Sequence, residues 1–259
     1  MTLEQYWEMA LILAAGLCFG SFVTLASFRL PRDESVVRPG SRCPSCGTQL
    51  KPLDLVPVFS WVAHRGRCAH CKTKVHWRYP AIELVQAALF LGIYFLVGPN
   101  GLWVVLALLS VCILTLIVTD LEHMIIPDEI QIVMGILSLA YAWLGGIAWT
   151  DLGIGAATGL LIGLSLHYGF KWIRKKDGLG FGDVKFLAVA GAWMGVQPMV
   201  PFLFFAGLLG IATALVWRMF NKNPQFPFGP ALAISMFMCV LFPQITAAFW
   251  SIGQSSPPY

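Results

Sequence analysis

Long apolar stretches without any charge dominate this chain, and short polar segments separate them. The charge-free runs cover residues 9–28, 84–119, 130–150, 152–170, 186–217 and 223 to the end. Turn formers divide two of the long runs into two helices each, Gly98-Pro99-Asn100-Gly101 in residues 84–119 and Gln197-Pro198 in residues 186–217. Because one membrane crossing takes about 20 helical residues, the pattern predicts eight helices, some of them short.

Composition supports this interpretation. Of the 259 residues, 58% are hydrophobic and only 12% are charged, and the mean hydropathy is +0.73. Soluble domains are closer to about 45–50% apolar and about 25% charged. Intrinsic disorder is excluded as well, because 13% of the residues are aromatic. We therefore predict an all-α polytopic membrane protein with about eight transmembrane helices and without room for a separate soluble catalytic domain.

The basic residues predict the orientation of these helices. All 17 Lys and Arg residues fall in segments 29–78, 171–185 and 218–222, which the eight-helix topology places on one side. Cytoplasmic loops retain basic residues, so this side is predicted to be cytoplasmic. The amino terminus has Glu4 and Glu8 but no basic residue, which predicts an external terminus and a retained first helix.

This topology divides the chain into three predicted parts. Residues 1–30 form the first transmembrane helix, residues 31–80 form a cytoplasmic loop, and residues 81–259 form a seven-helix membrane domain. The loop and Arg29 just before it carry ten of the basic residues. These charges could bind anionic lipid headgroups, and positive-inside topology explains them without any nucleic acid.

Four of the seven cysteines lie in the loop as two C-x2-C pairs, which are separated by 21 residues. They are Cys43, Cys46, Cys68 and Cys71. This spacing is typical of structural tetrathiolate zinc sites, and a loop too small to bury a core of its own would gain stability from the metal. Two disulfides are the alternative, which a reducing cytoplasm disfavours, and His70 could replace one cysteine ligand.

Carboxylates near the membrane face suggest a second site. Asp120 ends the third predicted helix, and Asp183 begins the sixth at the same cytoplasmic face. Glu122, Asp128 and Glu129 follow Asp120 in an acidic turn. Ionisable groups at such depth are costly and tend to be functional. The two helix dipoles predict that a proton shared by the pair resides mainly on Asp120.

Several motifs in the chain resemble one family of membrane proteases. Gly180-Phe181-Gly182-Asp183 matches the G-x-G-D motif of polytopic membrane aspartyl proteases, and Asp120 with Ile126-Pro127-Asp128 resembles the first-aspartate motif of the type IV prepilin leader peptidases. Segments 20–31 and 78–84 and the cysteine pairs are also similar to that family, so the resemblance covers most of the chain.

The resemblance implies a function and a set of site residues. Asp120 and Asp183 would be the catalytic dyad, supported by Gly180 and Gly182. The enzyme would cleave the basic leader from type IV prepilins and type II secretion pseudopilins at the cytoplasmic face of the bacterial inner membrane. It would then methylate the new amino terminus with S-adenosylmethionine, and the zinc would be structural. Glu122, Asp128 and Glu129 would attract the basic leader.

Other interpretations stay open at this stage. The protein could be a peptidase without methyltransferase activity, a transporter, or a membrane-tethered zinc scaffold. The acids lie at one face instead of the midplane and no inverted repeat is visible, which disfavours a transporter. Asp128 follows a proline and is read more simply as a helix N-cap. Glu83 is either interfacial or part of a polar site, and His167 is read as a packed histidine.

Overall fold

The computed structural model describes residues 2–175, 178–220 and 225–252. Within these ranges the regular structure is helical, with two short 3-10 turns. The helices are α1 (Leu3–Arg29), α2 (Phe59–Ala63), α3 (Arg78–Val97), α4 (Gly101–His123), α5 (Asp128–Gly145), α6 (Trp149–Arg174), α7 (Phe181–Met194), α8 (Met199–Phe220), α9 (Gly229–Leu241) and α10 (Pro243–Ile252). The predicted all-α architecture is therefore confirmed. Lys176, Lys222 and both ends of the last predicted span (223–224 and 253–259) lie outside the described ranges.

Five of the described helices are long and apolar enough to cross a membrane, namely α1, α3, α4, α6 and α8. Helices α9 and α10 would make a sixth span if counted as one unit bent by 89°. Length and composition thus support five or six of the eight predicted spans, and the other two are α5 and α7. Helix α5 has 18 residues with Asp128 and Glu129 in its first turn. Helix α7 has 14 residues and extends about 21 Å, less than the hydrocarbon core of about 30 Å.

The chain divides into two compact units, Met1–Thr115 and Leu116–Tyr259. In the first unit, α1 and α3 pack with their backbones in close contact. A Cβ atom at Gly16 would lie 2.6 Å from the Cα atom of Ala87, and one at Gly20 would lie 2.5 Å from the Cα atom of Glu83. Only glycine permits this approach at both positions, as is common for helix pairs in membranes.

Two buried charges connect the polar loop to these helices. At the end of α1, the Arg29 guanidinium donates to the carbonyl oxygens of Ser35 and Pro39 at 2.8 and 2.7 Å. On α3, Glu83 accepts a 2.7 Å bond from the backbone N–H of Val58. The open question about Glu83 thereby has an answer, since its carboxylate anchors the loop to α3.

In the second unit, glycines bring α6 and α7 together. A Cβ atom at Gly159 would lie 2.0 Å from the carbonyl oxygen of Leu187, and one at Gly155 would lie 2.1 Å from that of Gly191. The indole N–H of Trp193 on α7 donates to the carbonyl of Met134 on α5 at 2.9 Å. Helix α7, which carries Asp183, is therefore held between two neighbours.

We expect Gly159→Ala to destabilise the second unit. The added methyl group would overlap the backbone of α7, so α6 and α7 must separate, and overpacking of this kind costs about 1–3 kcal/mol. The measurement is the thermal unfolding midpoint of the purified protein in detergent.

Gly169→Ala is the matched control on the same helix, because a Cβ atom there would meet no atom within 4 Å. It should leave the midpoint unchanged or raise it, since alanine favours helix over glycine by about 0.8–1 kcal/mol. Equal midpoints for the two variants would contradict the proposed contact.

Candidate active site and metal centre

Asp120 lies in the last turn of α4, and its side chain is buried with 5% of its surface exposed. Its Oδ2 atom accepts a 2.8 Å hydrogen bond from the backbone N–H of Gly229. Gly229 is the first residue of α9, so this N–H has no partner within its own helix. A Cβ atom at Gly229 would lie only 2.7 Å from the same Oδ2, which makes glycine necessary there.

Asp183 is the third residue of α7 and is half-buried. Its Oδ2 atom accepts a 3.1 Å bond from the N–H of Gly180, the residue that precedes the helix. This backward bond is half of a capping box. Asp183 itself is therefore not the N-cap residue, which was one simple interpretation of its position. Each aspartate accepts a backbone N–H at the start of a helix.

The side chain of Ile126 connects the surroundings of the two aspartates. A Cβ atom at Gly182 would lie 3.2 Å from the Cβ atom of Ile126, and one at Gly229 would lie 3.2 Å from its Cδ1 atom. Ile126 thus contacts the residue before Asp183 and the residue that binds Asp120.

The electrostatics of Asp183 reflect this proximity. Burial and the negative charge of Asp120 together raise the pKa of Asp183 to about 7, against the opposing effect of the Gly180 hydrogen bond. A pair of carboxyl groups in such an arrangement tends to share one proton near neutral pH. This arrangement suits acid–base chemistry, in which one carboxyl activates water and the other donates a proton.

The predicted location of the shared proton considered only one of the two helix ends that lie near Asp120. Asp120 does lie near the negative C-terminal end of α4, as the sequence indicates. It also faces the positive N-terminal end of α9 through Gly229, and that end favours a carboxylate. The dipole of α9 therefore offsets that of α4, and the difference between the two aspartates is smaller than predicted.

Asp128 does not have the predicted role of a helix N-cap. Pro127 occupies the N-cap position of α5, and no side chain caps that helix end. The Asp128 carboxylate instead binds the Nζ atom of Lys185 on α7, with distances of 2.8 and 2.7 Å to its two oxygens. The N-cap interpretation is wrong because Lys185, 57 residues further along the chain, provides a stronger, charged partner.

The other two acids proposed to attract a leader lie at the surface. Glu122 is near the end of α4, and Glu129 is the second residue of α5. Both are exposed. They lie on either side of the turn that carries Ile126, so their charge adjoins the segment that lies against Gly182 and Gly229.

The four loop cysteines of the first unit come together as their spacing predicts. Their Sγ atoms all lie within 4.8 Å of one another, and those of Cys43 and Cys71 are 3.8 Å apart. A tetrahedral zinc site with Zn–S bonds of about 2.3 Å has sulfur separations of about 3.8 Å. The donor set therefore fits zinc. His70 is exposed and does not belong to the cluster.

Two similar turns form this cluster. In each turn, the first cysteine donates its N–H to the carbonyl of the residue five positions on, which is Thr48 or Thr73. The threonine hydroxyls lie 3.4 and 3.3 Å from the Sγ atoms of Cys46 and Cys71. Hydrogen bonds from Thr73 lower the pKa of Cys71 to about 6, and those from Thr48 lower the pKa of Cys46. The thiolate, which is the form that binds metal, is thus favoured at these two cysteines.

The disulfide alternative does not hold in the structure. All seven cysteines lie within the described ranges, and all are free thiols.

The sequence analysis missed two residues of the aspartate site. Gly229 is one of them, and the signal that could have revealed it is the Gly229-Pro230 pair ahead of an apolar run, a typical helix start. His167 is the other: its Nδ1 atom lies 2.8 Å from the carbonyl oxygen of Leu179, just before the Gly180 cap. No sequence signal indicates this contact, because it joins α6 to a loop twelve residues later.

Comparisons with known proteins agree with the motifs. Residues 14–97 match the family described as the Bacterial Peptidase A24 N-terminal domain. Residues 106–215 match the Type IV leader peptidase family. Together these two matches cover most of the chain, and the second contains both Asp120 and Asp183.

Similar curated proteins carry the name prepilin leader peptidase/N-methyltransferase. One from Aeromonas hydrophila is 31% identical, and the alignment covers 90% of this chain and 90% of that protein. One from Burkholderia pseudomallei (strain 1026b) is 33% identical over 87% of this chain and 82% of that protein. One from Neisseria gonorrhoeae is 30% identical over 85% of each. No solved structure matches the chain significantly.

Proposed function

The chain belongs to the type IV leader peptidase family, and we propose that Asp120 and Asp183 are the catalytic dyad with which it cleaves prepilins. The observation that carries this proposal is the geometry of the pair. Two carboxyl groups from different helices each accept a backbone N–H at a helix start. Gly182, the neighbour of Asp183, and Gly229, the partner of Asp120, both lie against the Ile126 side chain, and the two carboxyl groups are close enough for the charge of Asp120 to act on Asp183. The membership also makes the chain a prepilin peptidase and methyltransferase.

The substrates are prepilins and pseudopilins, which the enzyme meets at the cytoplasmic face of the inner membrane. Positive-inside topology supports this orientation. It places the basic segment 29–78 in the cytoplasm, and the two spans α3 and α4 then return the chain to that side at Asp120. Cleavage occurs between the basic leader and the apolar helix of the substrate. A site at the membrane face suits such a bond, since the leader remains in water while the helix stays in lipid.

In the mechanism, the dyad shares one proton. The ionised carboxyl takes a proton from the water molecule that attacks the scissile carbonyl, while the protonated carboxyl donates its proton to the carbonyl oxygen. When the tetrahedral intermediate collapses, the first carboxyl passes the proton from water to the leaving amine, and the second takes back a proton from a hydroxyl of the intermediate. The N–H groups of Gly180 and Gly229 hold the carboxyl groups in place. Their bonds also favour the ionised form of whichever aspartate is charged.

The cysteine cluster binds zinc and organises the loop. Cys43, Cys46, Cys68 and Cys71 would hold the ion, and four thiolates leave it no open position for water. The metal therefore contributes fold stability and no hydrolytic step.

S-adenosylmethionine supplies the methyl group in the second activity. The described residues contain no strand followed by a glycine-rich loop, so the common dinucleotide-binding arrangement does not apply. A peptidase that lacks methyltransferase activity is the alternative. Mass spectrometry of a prepilin incubated with the purified protein and S-adenosylmethionine distinguishes the two: leader loss with a 14 Da gain, which is about one methylene, supports both activities.

We expect Asp120→Asn and Asp183→Asn each to reduce leader cleavage by at least about 100-fold, because each variant removes one half of the acid–base pair. Methylation of a pre-cleaved peptide should survive if the methyl-transfer site is separate. Gel mobility of a prepilin and mass spectrometry provide the two measurements.

Asp151→Asn is the control for this experiment. Asp151 is an exposed carboxylate in the first turn of α6, and its loss should leave cleavage unchanged. Substantial cleavage by either dyad variant would refute the proposed mechanism.

Freshly purified, reduced protein should contain one zinc per chain, as expected for a single tetrathiolate site. Cys46→Ser should lose most of this zinc because it removes one of four ligands. Cys18→Ser is the control, since Cys18 is exposed on α1 and outside the cluster. Elemental analysis is the measurement, and the absence of zinc from the wild-type protein would contradict the proposed zinc site.

The acidic turn should control leader binding. We expect the apparent KM for a prepilin to rise with salt, because salt screens the attraction between exposed charges. The double variant Glu122→Gln/Glu129→Gln should raise KM severalfold with little change in kcat. Asp128→Asn should raise it less, because Lys185 already neutralises Asp128. If the KM of the wild-type protein does not change with salt, the acidic turn does not attract the leader electrostatically.

A further inference from the structure

His167 lies on α6, next to the loop that leads into α7. Its Nδ1 atom is 2.8 Å from the carbonyl oxygen of Leu179. A carbonyl oxygen only accepts hydrogen bonds, so Nδ1 carries the proton and donates it. Edge-on contacts with the rings of Tyr168 and Phe181, with centroid distances of 5.1 and 6.0 Å, surround the imidazole. The ring is thus held in one orientation toward the loop.

The bonded carbonyl belongs to the same peptide group as the N–H that binds Asp183. The peptide between Leu179 and Gly180 presents its C=O to His167 and its N–H to the Asp183 carboxylate, at 3.1 Å. Because a peptide group is planar and rigid, a bond to its oxygen also fixes the direction of its N–H. Hydrogen bonds in series polarise one another, so the imidazole strengthens the bond at the far end.

We propose that His167 is a positioning residue for Asp183, acting through the Leu179–Gly180 peptide. The proposal rests on the proposed catalytic role of Asp183. His167 does not touch the reacting atoms. It holds the peptide in the orientation that directs the Gly180 N–H at the carboxylate, and it makes that N–H a better donor.

The local glycines explain why the loop needs such support. Gly178 and Gly180 lie on either side of Leu179, and glycine loses more conformational freedom on folding than other residues. Without an external bond, the Leu179–Gly180 peptide could rotate and remove its N–H from Asp183. The bond matters for the ionisation of the dyad, because the Gly180 N–H opposes the rise in the pKa of Asp183.

Several other titratable groups surround this relay. Tyr168 and Lys171 are on the same helix as His167, and Asp183 and Lys185 are on α7. Lys185 lies above the Phe181 ring and binds Asp128. The donor in the relay is the Nδ1–H of His167, and its acceptor is the Leu179 carbonyl and not one of these charged groups.

The test is an infrared titration of Asp183, with its carboxyl band identified by difference from Asp183→Asn. His167→Phe keeps the ring contacts but has no donor, and we expect its Asp183 midpoint to move up by about half to one pH unit, part of the effect of a hydrogen bond to a carboxylate. His167→Asn places an amide N–H near the position of Nδ1 and should titrate like the wild type. His167→Ala is the second donor-free variant and should shift like His167→Phe.

Ser165→Ala is the matched control on α6, because the Ser165 hydroxyl donates to the carbonyl of Leu161 in its own helix. The acid limb of kcat/KM should follow the infrared midpoints of all variants. Unshifted midpoints in a folded donor-free variant would overturn the proposal, and so would equal shifts in His167→Asn and His167→Phe. The infrared measurement does not depend on catalytic turnover. Cleavage by Asp183→Asn would therefore refute the catalytic dyad, whereas the infrared midpoints alone test the role of His167.

Discussion

The buried carboxylate of Asp120 sets the main constraint on the second unit. A carboxylate removed from water is stable only when it is paired or hydrogen-bonded. Asp120 obtains its bond from the N–H of Gly229, which is available because the first N–H groups of a helix have no partner inside that helix. The beginning of α9 is therefore fixed at the end of α4. The residue there must be glycine, and Pro230 can follow it because a proline near a helix start sacrifices no internal bond.

The short helices α7 and α9 follow from the same constraint. Both are apolar but too short to cross a membrane, and ten of the thirteen residues of α9 are buried within the protein. A helix of this kind contributes its N-terminal end as well as its apolar surface. Each of the two ends supplies the N–H that holds one aspartate, and the glycine contacts with α6 keep α7 in place. The aspartate site is thus built from helix ends, and α6 supplies the packing surface that holds α7.

The features that could be predicted from the sequence are those that depend on a local pattern of residues. The C-x2-C spacing predicts a cysteine cluster, and the four thiols do lie together. The G-x-G-D motif and the isolated Asp120 identify the two carboxyls. The number of membrane spans was less predictable, because an apolar run has the same composition whether it faces lipid or protein. The Lys185 bond to Asp128 and the Gly229 bond to Asp120 depend on packing between distant segments, and only the fold reveals them.

In the first unit, one basic and one acidic buried side chain anchor the polar loop to the helices. Its loop is too small to bury an apolar core, so the helices provide fixed points. Arg29 binds carbonyl groups before the first cysteine pair, and Glu83 binds the Val58 N–H between the two pairs. Neither anchor involves a cysteine. A buried charge is costly unless it is hydrogen-bonded. The loop backbone therefore stabilises Arg29 and Glu83, and these two side chains in turn hold the loop. The anchors thus fix the loop to the helices, while the cysteine cluster organises the two turns that the anchors do not reach.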